Sequence, residues 1–418
     1  MFVFTQYRFV LCALLHLAAG GPAAQRRPTF DHFRRPGFAT TQQSSTTSVA
    51  ATVAQSSFQV TASSIPSLKD AAASSIQSSN ASAGALPPVA ASIGPVINAT
   101  LTKNWGITRD GGGGGTIDGT HIINFSDTGA DGNNAFVSNS IATTNTNGTM
   151  LTDYGTNYPM QQWPFEPDEV AASGLRIAIW PNTNIVSGCG GTCGYTVSNV
   201  VDVNLTAPYP STMIYSTLAN ITLKSNNTPS VERISAQMWK PNETNYGIYG
   251  LARARDGSDD IYLFAAPSTA DSGLKVAKVA EASIADKSKY TYWDGSTWAL
   301  TAPSANDTKS NVFSNKGGIG TGDIFWSAYH GRWLAVFNDG LAVDDTFQVT
   351  YSITEDLTGV WSTTPQSLFV TPGCGNGCTT PWNYASHAYP DIDPSGRTLL
   401  LGWTYNAAYT SFATITWT

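Results

Sequence analysis

From Val96 onward the apolar positions fall in short runs: HIINF (His121–Phe125), LRIAIW (Leu175–Trp180), DIYLFAA (260–266), RWLAVF (Arg332–Phe337) and RTLLLGW (Arg397–Trp403). Each is rich in β-branched or aromatic residues and is bounded by Gly, Asn, Asp or Pro, the pattern of strands joined by turns. Turn signals stand at Asp118-Gly119, Ser187-Gly188, Asp256-Gly257, His330-Gly331 and Asp393-Pro394-Ser395-Gly396. Taking positions 118, 187, 256, 330 and 395, the separations are 69, 69, 74 and 65 residues. A repeating unit of that length with no helical periodicity predicts propeller blades, so the expected fold is an all-β, five-bladed β-propeller. A β-sandwich is the rival, but its turns come every 8 to 12 residues or so without a longer period. The last run, FATITWT, and the segment NATLTKNW from Asn98 are expected to pair and close the ring.

The residues before this region read differently. Met1 to Gly20 carries Arg8, an apolar stretch from Phe9 to Ala19 and small residues Ala18 and Gly20, the layout of a signal peptide. Residues 21–95 are dominated by Ser, Thr and Ala, too polar to offset the entropy of ordering. They are expected to form a disordered stalk, O-glycosylated or a plain spacer, with the propeller over residues 96–418. No later segment reaches the roughly 20 apolar residues of a membrane helix. The expected localisation is secreted, extracellular or wall-associated, as a monomer.

Composition sharpens this picture. Charged residues are only 12% of the chain, aromatics 11%, and there are 38 Gly and 22 Pro, a mix that suits strands and turns more than solvated helices. The formal charge of −7 and the lack of a basic cluster in the β-rich part speak against nucleic acid and leave a polysaccharide or glycan as the expected partner. Apart from Cys12, the cysteines form two CxxxC pairs, Cys189 with Cys193 and Cys374 with Cys378. In an oxidising compartment these read as two short disulfides, with zinc the alternative. Nine N-x-S/T sequons, Asn124 among them, fit a secreted glycoprotein.

The first hairpin carries the chemistry. Residues equidistant from a two-residue turn face each other, and Asp110 lies eight residues before Asp118 while Asp127 lies eight after Gly119. Their Cβ atoms should then be about 5 Å apart, with Asp118 roughly 26 Å away at the far end of the ladder. Like charges facing across strands repel; in a cleft, repulsion and desolvation raise one pKa and yield a proton donor beside a carboxylate. Glycoside hydrolysis needs such a pair, and its spacing separates retention from inversion. The run Gly111–Gly115 leaves room for a ligand but is also where a bulge could shift the register. The structural alternative is that Asp110 pairs with Arg109 and Asp127 opens an Asx-type turn.

The fourth hairpin repeats the arrangement, since Asp323 and Asn338 are equidistant from His330-Gly331. Asp323 is therefore a third candidate carboxylate and Asn338 a substrate-binding residue. His387 could assist them, although a lone His is more often structural. Trp326, with Trp163, Trp382 and Tyr405, offers a candidate sugar-stacking ring, although blade cores also use Trp and Tyr. Glu166, Asp168 and Glu169 read as a solvated loop. The phosphate-loop, GxSxG and HExxH motifs are absent from the sequence, and no cofactor is implied.

The ordered motifs RDGG (Arg109–Gly112), FSDT (Phe125–Thr128), YTYWDGSTW (Tyr290–Trp298), RWLAVFN (Arg332–Asn338) and SHAYPDI (Ser386–Ile392) before LLLGWTYN resemble a secreted five-bladed propeller family. That family includes bacterial endo-D-arabinanases and many fungal proteins. The resemblance spans about 100 to 418 and implies a glycoside hydrolase with acidic residues in a central funnel, carried here by Asp110 and Asp127. FSDT departs from the family's FGDT, and Asn124 begins a sequon beside it, so a glycan there would crowd the site. The expected function is hydrolysis of a wall or extracellular polysaccharide; a non-catalytic carbohydrate-binding or adhesion propeller is the alternative.

Overall fold

The computed structural model describes residues 83–418 apart from 99, 102–106, 131–134, 146–149, 155–160, 207–209, 266–272, 315–318, 339–345, 373–382 and 406–408. The segment expected to be a signal peptide, the Ser/Thr-rich segment as far as residue 82, Trp382, Cys374 and Cys378 lie outside the described residues. Among the described residues helical structure is limited to three-residue 3-10 turns such as Cys189–Gly191 and Lys287–Lys289, none long enough to cross a membrane.

Among the described residues five larger sheets follow one another along the chain, and a three-stranded one, Ile107–Arg109, Thr128–Ala130 and Ala135–Val137, continues the first hairpin beyond its glycine run. The first holds Gly114–Ile117, Thr120–Phe125, Ser140–Thr144 and Met150–Thr152, with Thr100–Leu101 added in parallel. Leu175–Pro181, Cys193–Asn204, Ser211–Leu223 and Pro229–Trp239 make the second, and Val186–Gly188 also pairs with Cys193–Asn204. The third starts at Gly250–Arg253 and the fourth at Gly322–Ser327. In the fifth, Tyr384–Tyr389, Thr398–Tyr405 and Tyr409–Trp417 are joined by Ala90–Ile93 at the edge, with Ile97–Asn98 also on Tyr409–Trp417.

Why the strands are apolar on both faces follows from how these sheets stack. Five buried clusters each draw on two consecutive sheets. Ile122 and Ile141 meet Ile179 and Val200, Val197 meets Leu251 and Leu263, and Phe264 meets Trp333 and Phe337. Leu334 and Val349 meet Leu401 and Trp403, and Leu400 and Phe412 meet Ile123 and Phe125 of the first sheet. The circuit therefore returns to its start, which is the architecture of a β-propeller. Each sheet is sandwiched between neighbours, so strand after strand is buried on both sides.

The two ends of the β-rich region are joined as expected in kind, though with different residues. The expected boundary at residue 96 falls between two paired strands, because Ala90–Ile93 already lies along Tyr409–Trp417 with Ile93 opposite Ile415. Two turns also differ. Val186–Gly188 is itself a strand, with Gly188 opposite Cys193, so the second turn is Cys189–Thr192 and not Ser187-Gly188. Cys189 and Cys193 form a disulfide across it, so neither sulfur is a free thiolate for zinc. The fourth connection is four residues long, Ala328 to Gly331, with Ser327 opposite Arg332. His330 fills it: its Nδ1 lies 2.9 Å from Ser327 Oγ, and Gly331 N donates to Ser327 O. As a result Asp323 faces Val336 and not Asn338.

The glycine run lets the first sheet dock on the second. A Cβ at Gly113 would lie 2.0 Å from Thr183 O, and one at Gly115 would lie 2.1 Å from Ile185 O. Between them Ile185 N donates to Gly114 O at 2.9 Å. Backbone atoms cannot rotate away as a side chain can, so Gly113→Ala or Gly115→Ala is expected to destabilise the protein by about 2–4 kcal/mol. Urea unfolding of each variant against wild type measures this.

Candidate active site

The first hairpin keeps one register through the glycine run. Thr120 faces Ile117 and Ile123 faces Gly114 on the turn side, and Arg109 faces Thr128 and Ile107 faces Ala130 on the other. Both sets are equidistant from Asp118-Gly119, whose φ values of 47° and 69° match a type I′ turn. Asp110 N donates to Asp127 O at 3.0 Å and Ser126 N donates to Asp110 O at 2.7 Å, so the two aspartates are cross-strand neighbours. Gly111 and Gly112, at φ +81° and +150°, absorb a local kink that no other residue accepts comfortably.

Neither aspartate does what the structural alternative required. Arg109 ion-pairs with Asp153, and both are buried. Asp127 accepts two hydrogen bonds from Arg176, at 3.0 Å and 2.8 Å, and a third from Trp180 Nε1 at 2.8 Å. Arg176 and Trp180 share one face of Leu175–Pro181 by the period-two rule, so the second sheet presents a cation and an N–H donor to the first hairpin.

Asp110 has a different environment. It is half-buried and ringed by protein, and it accepts a hydrogen bond from the Tyr384 hydroxyl. Desolvation raises its pKa to about 7; Tyr384 opposes the rise, Asp127 adds to it and Arg176 opposes it. At neutral pH the pair thus combines a carboxyl that holds a proton about half the time with a carboxylate locked by three donors.

The other nominated residues separate into two groups. Asp323 is buried beside His387, whose Nδ1 lies 3.0 Å from Asp323 Oδ2, and the same oxygen accepts from Ala388 N at 2.8 Å. His387 Nε2 lies 3.0 Å from Asn182 Oδ1, and that oxygen borders Gly111, the residue after Asp110. Asn338 reaches Ser386 Oγ at 3.1 Å and so belongs to the seam between the fourth and fifth sheets. Trp326 is not brought to this cluster: its ring packs edge-on against Trp333 and carries the Arg255 guanidinium 4.6 Å above it, towards the turn end of its strand. Trp163 is fully buried and so is no platform, and Tyr405, partly buried, packs on the core between the fourth and fifth sheets. Glu169 is no solvated loop residue, since Arg233 grips it through both nitrogens at 2.7 Å and 2.6 Å and Tyr215 donates to it.

Arg176, Trp180, Tyr384 and Asn182 escaped sequence reasoning. One signal was available: Arg176 is a cation in the otherwise apolar run LRIAIW. Asn124 is fully buried, which takes this sequon out of reach of a glycan in the folded protein, whereas Asn226, Asn242 and Asn306 are exposed. Glycopeptide mapping of the secreted protein is expected to find no sugar at Asn124.

No protein-family model and no curated protein matches the sequence. Solved structures do match. A protein of Bacteroides ovatus assigned as a hydrolase superposes with a TM-score of 0.52 at 14% identity, covering 75% of this chain and 87% of that one. An endo-arabinase of Bacteroides thetaiotaomicron gives 0.43 at 12%, covering 77% and 96%. A family 117 glycoside hydrolase of the marine bacterium Zobellia galactanivorans gives 0.41 at 10%, covering 77% and 89%. At such identity the first match is a likeness of fold alone.

The raised pKa of Asp110 has a consequence for stability. The folded state holds this proton more tightly than the unfolded chain, so its contribution is fully present at acid pH. It is lost as pH rises from the ordinary carboxylate range through about 7. Asp110→Asn removes that loss and is expected to be more stable than wild type at neutral pH by on the order of 3 kcal/mol. Thermal unfolding at acid and at neutral pH checks the sign, with the difference vanishing at acid pH.

Proposed function

We propose that this chain is a secreted glycoside hydrolase built on a five-bladed propeller, each of the five larger sheets forming one blade, with the Ser/Thr-rich segment as its stalk. The observation that carries the reading is the unequal pair: Asp110 titrates near neutrality while facing an Asp127 held by Arg176 and Trp180. Two carboxyls whose environments differ in this way match the division of labour in glycoside hydrolysis. Asp110 acts as the acid that protonates the leaving oxygen. Asp127, with about four acceptor positions and three donors, keeps one position to activate water or to stabilise the positive charge developing at the anomeric carbon. Asp323 and His387 support the site through Asn182. The substrate class is a wall or extracellular polysaccharide.

The grip on Asp127 also favours a second reading. A carboxylate held by three donors resembles a rigid hydrogen-bonding wall, as a glycan-binding propeller without catalysis would use for sugar hydroxyls. Incubating the purified protein with fungal, plant and bacterial polysaccharides separates the two. Wild type is expected to release sugars, and Asp110→Asn to lower the rate by about 10²–10⁴-fold with the fold intact by circular dichroism. Glycan binding with no release by wild type decides for the second reading.

A further inference from the structure

We propose that Tyr384 is the positioning residue that holds the Asp110 carboxyl for proton transfer, and that the bulge at Ala385 exists to aim it. This deepens the hydrolase reading and rests on it. The inner strand Tyr384–Tyr389 runs regularly from Tyr389 opposite Leu400 to His387 opposite Gly402. The next pair is Tyr384 with Thr404, so the inner strand fits one more residue than its partner into that interval. A one-residue bulge turns every side chain before it to the other face, and Tyr384 thereby reaches Asp110 of the first hairpin.

The bulge is costly on its own. Ala385 sits at φ 52°, a left-handed conformation that is unfavourable for a residue with a Cβ. Such strain persists only where the surroundings fix it, and here they do so on both sides. Asn383 donates to Thr371 Oγ1 at 2.9 Å and Pro372 O at 3.2 Å. Ser386 N donates to Thr321 Oγ1 at 2.8 Å, and Ala388 N donates to Asp323 Oδ2 at 2.8 Å. Asp323, His387 and Asn338 therefore act together, pinning the strand after the bulge.

Tyr384 remains a donor at all ordinary pH, because burial and then Asp110 push its phenol pKa well up. The charged groups facing Asp110 are Asp127 and Arg176, with Tyr384 as its direct donor. Arg109 is turned away to Asp153, and His387 reaches this corner only through Asn182. Bonding from Tyr384 favours the carboxylate form, so its loss raises the Asp110 midpoint.

The test is Tyr384→Phe, which keeps the ring. With ¹³C-labelled aspartate, the Asp110 carboxyl signal, assigned by its disappearance in Asp110→Asn, is expected to shift its midpoint upward by roughly one pH unit. The alkaline limb of the sugar-release profile should move with it, with kcat reduced more than KM is altered. In wild type, the tyrosine ultraviolet difference spectrum should titrate at the Asp110 midpoint and lose that component in Asp110→Asn, a readout that holds even if Tyr384→Phe fails to fold. An unmoved midpoint, or a tyrosine signal indifferent to Asp110, overturns the proposal. Both couplings present without sugar release by wild type would support the Tyr384 contact and reject the hydrolase reading.

Discussion

The docking of a side-chain-free strand on the second sheet is the constraint from which the rest of the site follows. Gly113 and Gly115 lie against carbonyl oxygens of Thr183 and Ile185, and Ile185 N donates to Gly114 O. Only glycine allows that approach. It brings the second sheet close enough for Arg176 and Trp180 to reach Asp127 across the seam. The type I′ turn at Asp118-Gly119 then sets which residues oppose each other, and it places Asp110 beside Asp127.

From that adjacency comes the electrostatics. Facing carboxylates are unfavourable unless one is neutralised by protonation or by a cation. Here both devices are used, one on each residue. Arg176 and Trp180 satisfy Asp127, while enclosure and the nearby Asp127 charge push the Asp110 carboxyl to about 7. Stability is given up at neutral pH to keep a titratable group there, a trade-off typical of functional sites. The five interleaved cores supply the rigidity that makes it tolerable.

Much of this was legible in the sequence, and the failures have physical causes. The first hairpin could be read because Asp-Gly is a strong two-residue turn signal and the glycine run kinks without inserting a residue. His330-Gly331 looks similar in sequence but sits in a four-residue loop, because the His330 ring and backbone N both bond Ser327, so Asp323 faces Val336 and the two-residue-turn rule fails there. The Tyr384 contact was invisible since it joins residues 274 positions apart and depends on a bulge with no glycine to announce it. Only its residue type suggests Trp326, and residue type does not distinguish a platform from a blade core.

The central claim concerns where one proton sits, and neutron diffraction observes that directly. In deuterium-exchanged crystals held near pH 6, about one unit below the Asp110 midpoint, nuclear density should show a deuteron on Asp110 and none on Asp127. The Tyr384 deuteron should point at Asp110. Bare carboxylates on both aspartates, or a deuteron on Asp127 with none on Asp110, would contradict the account.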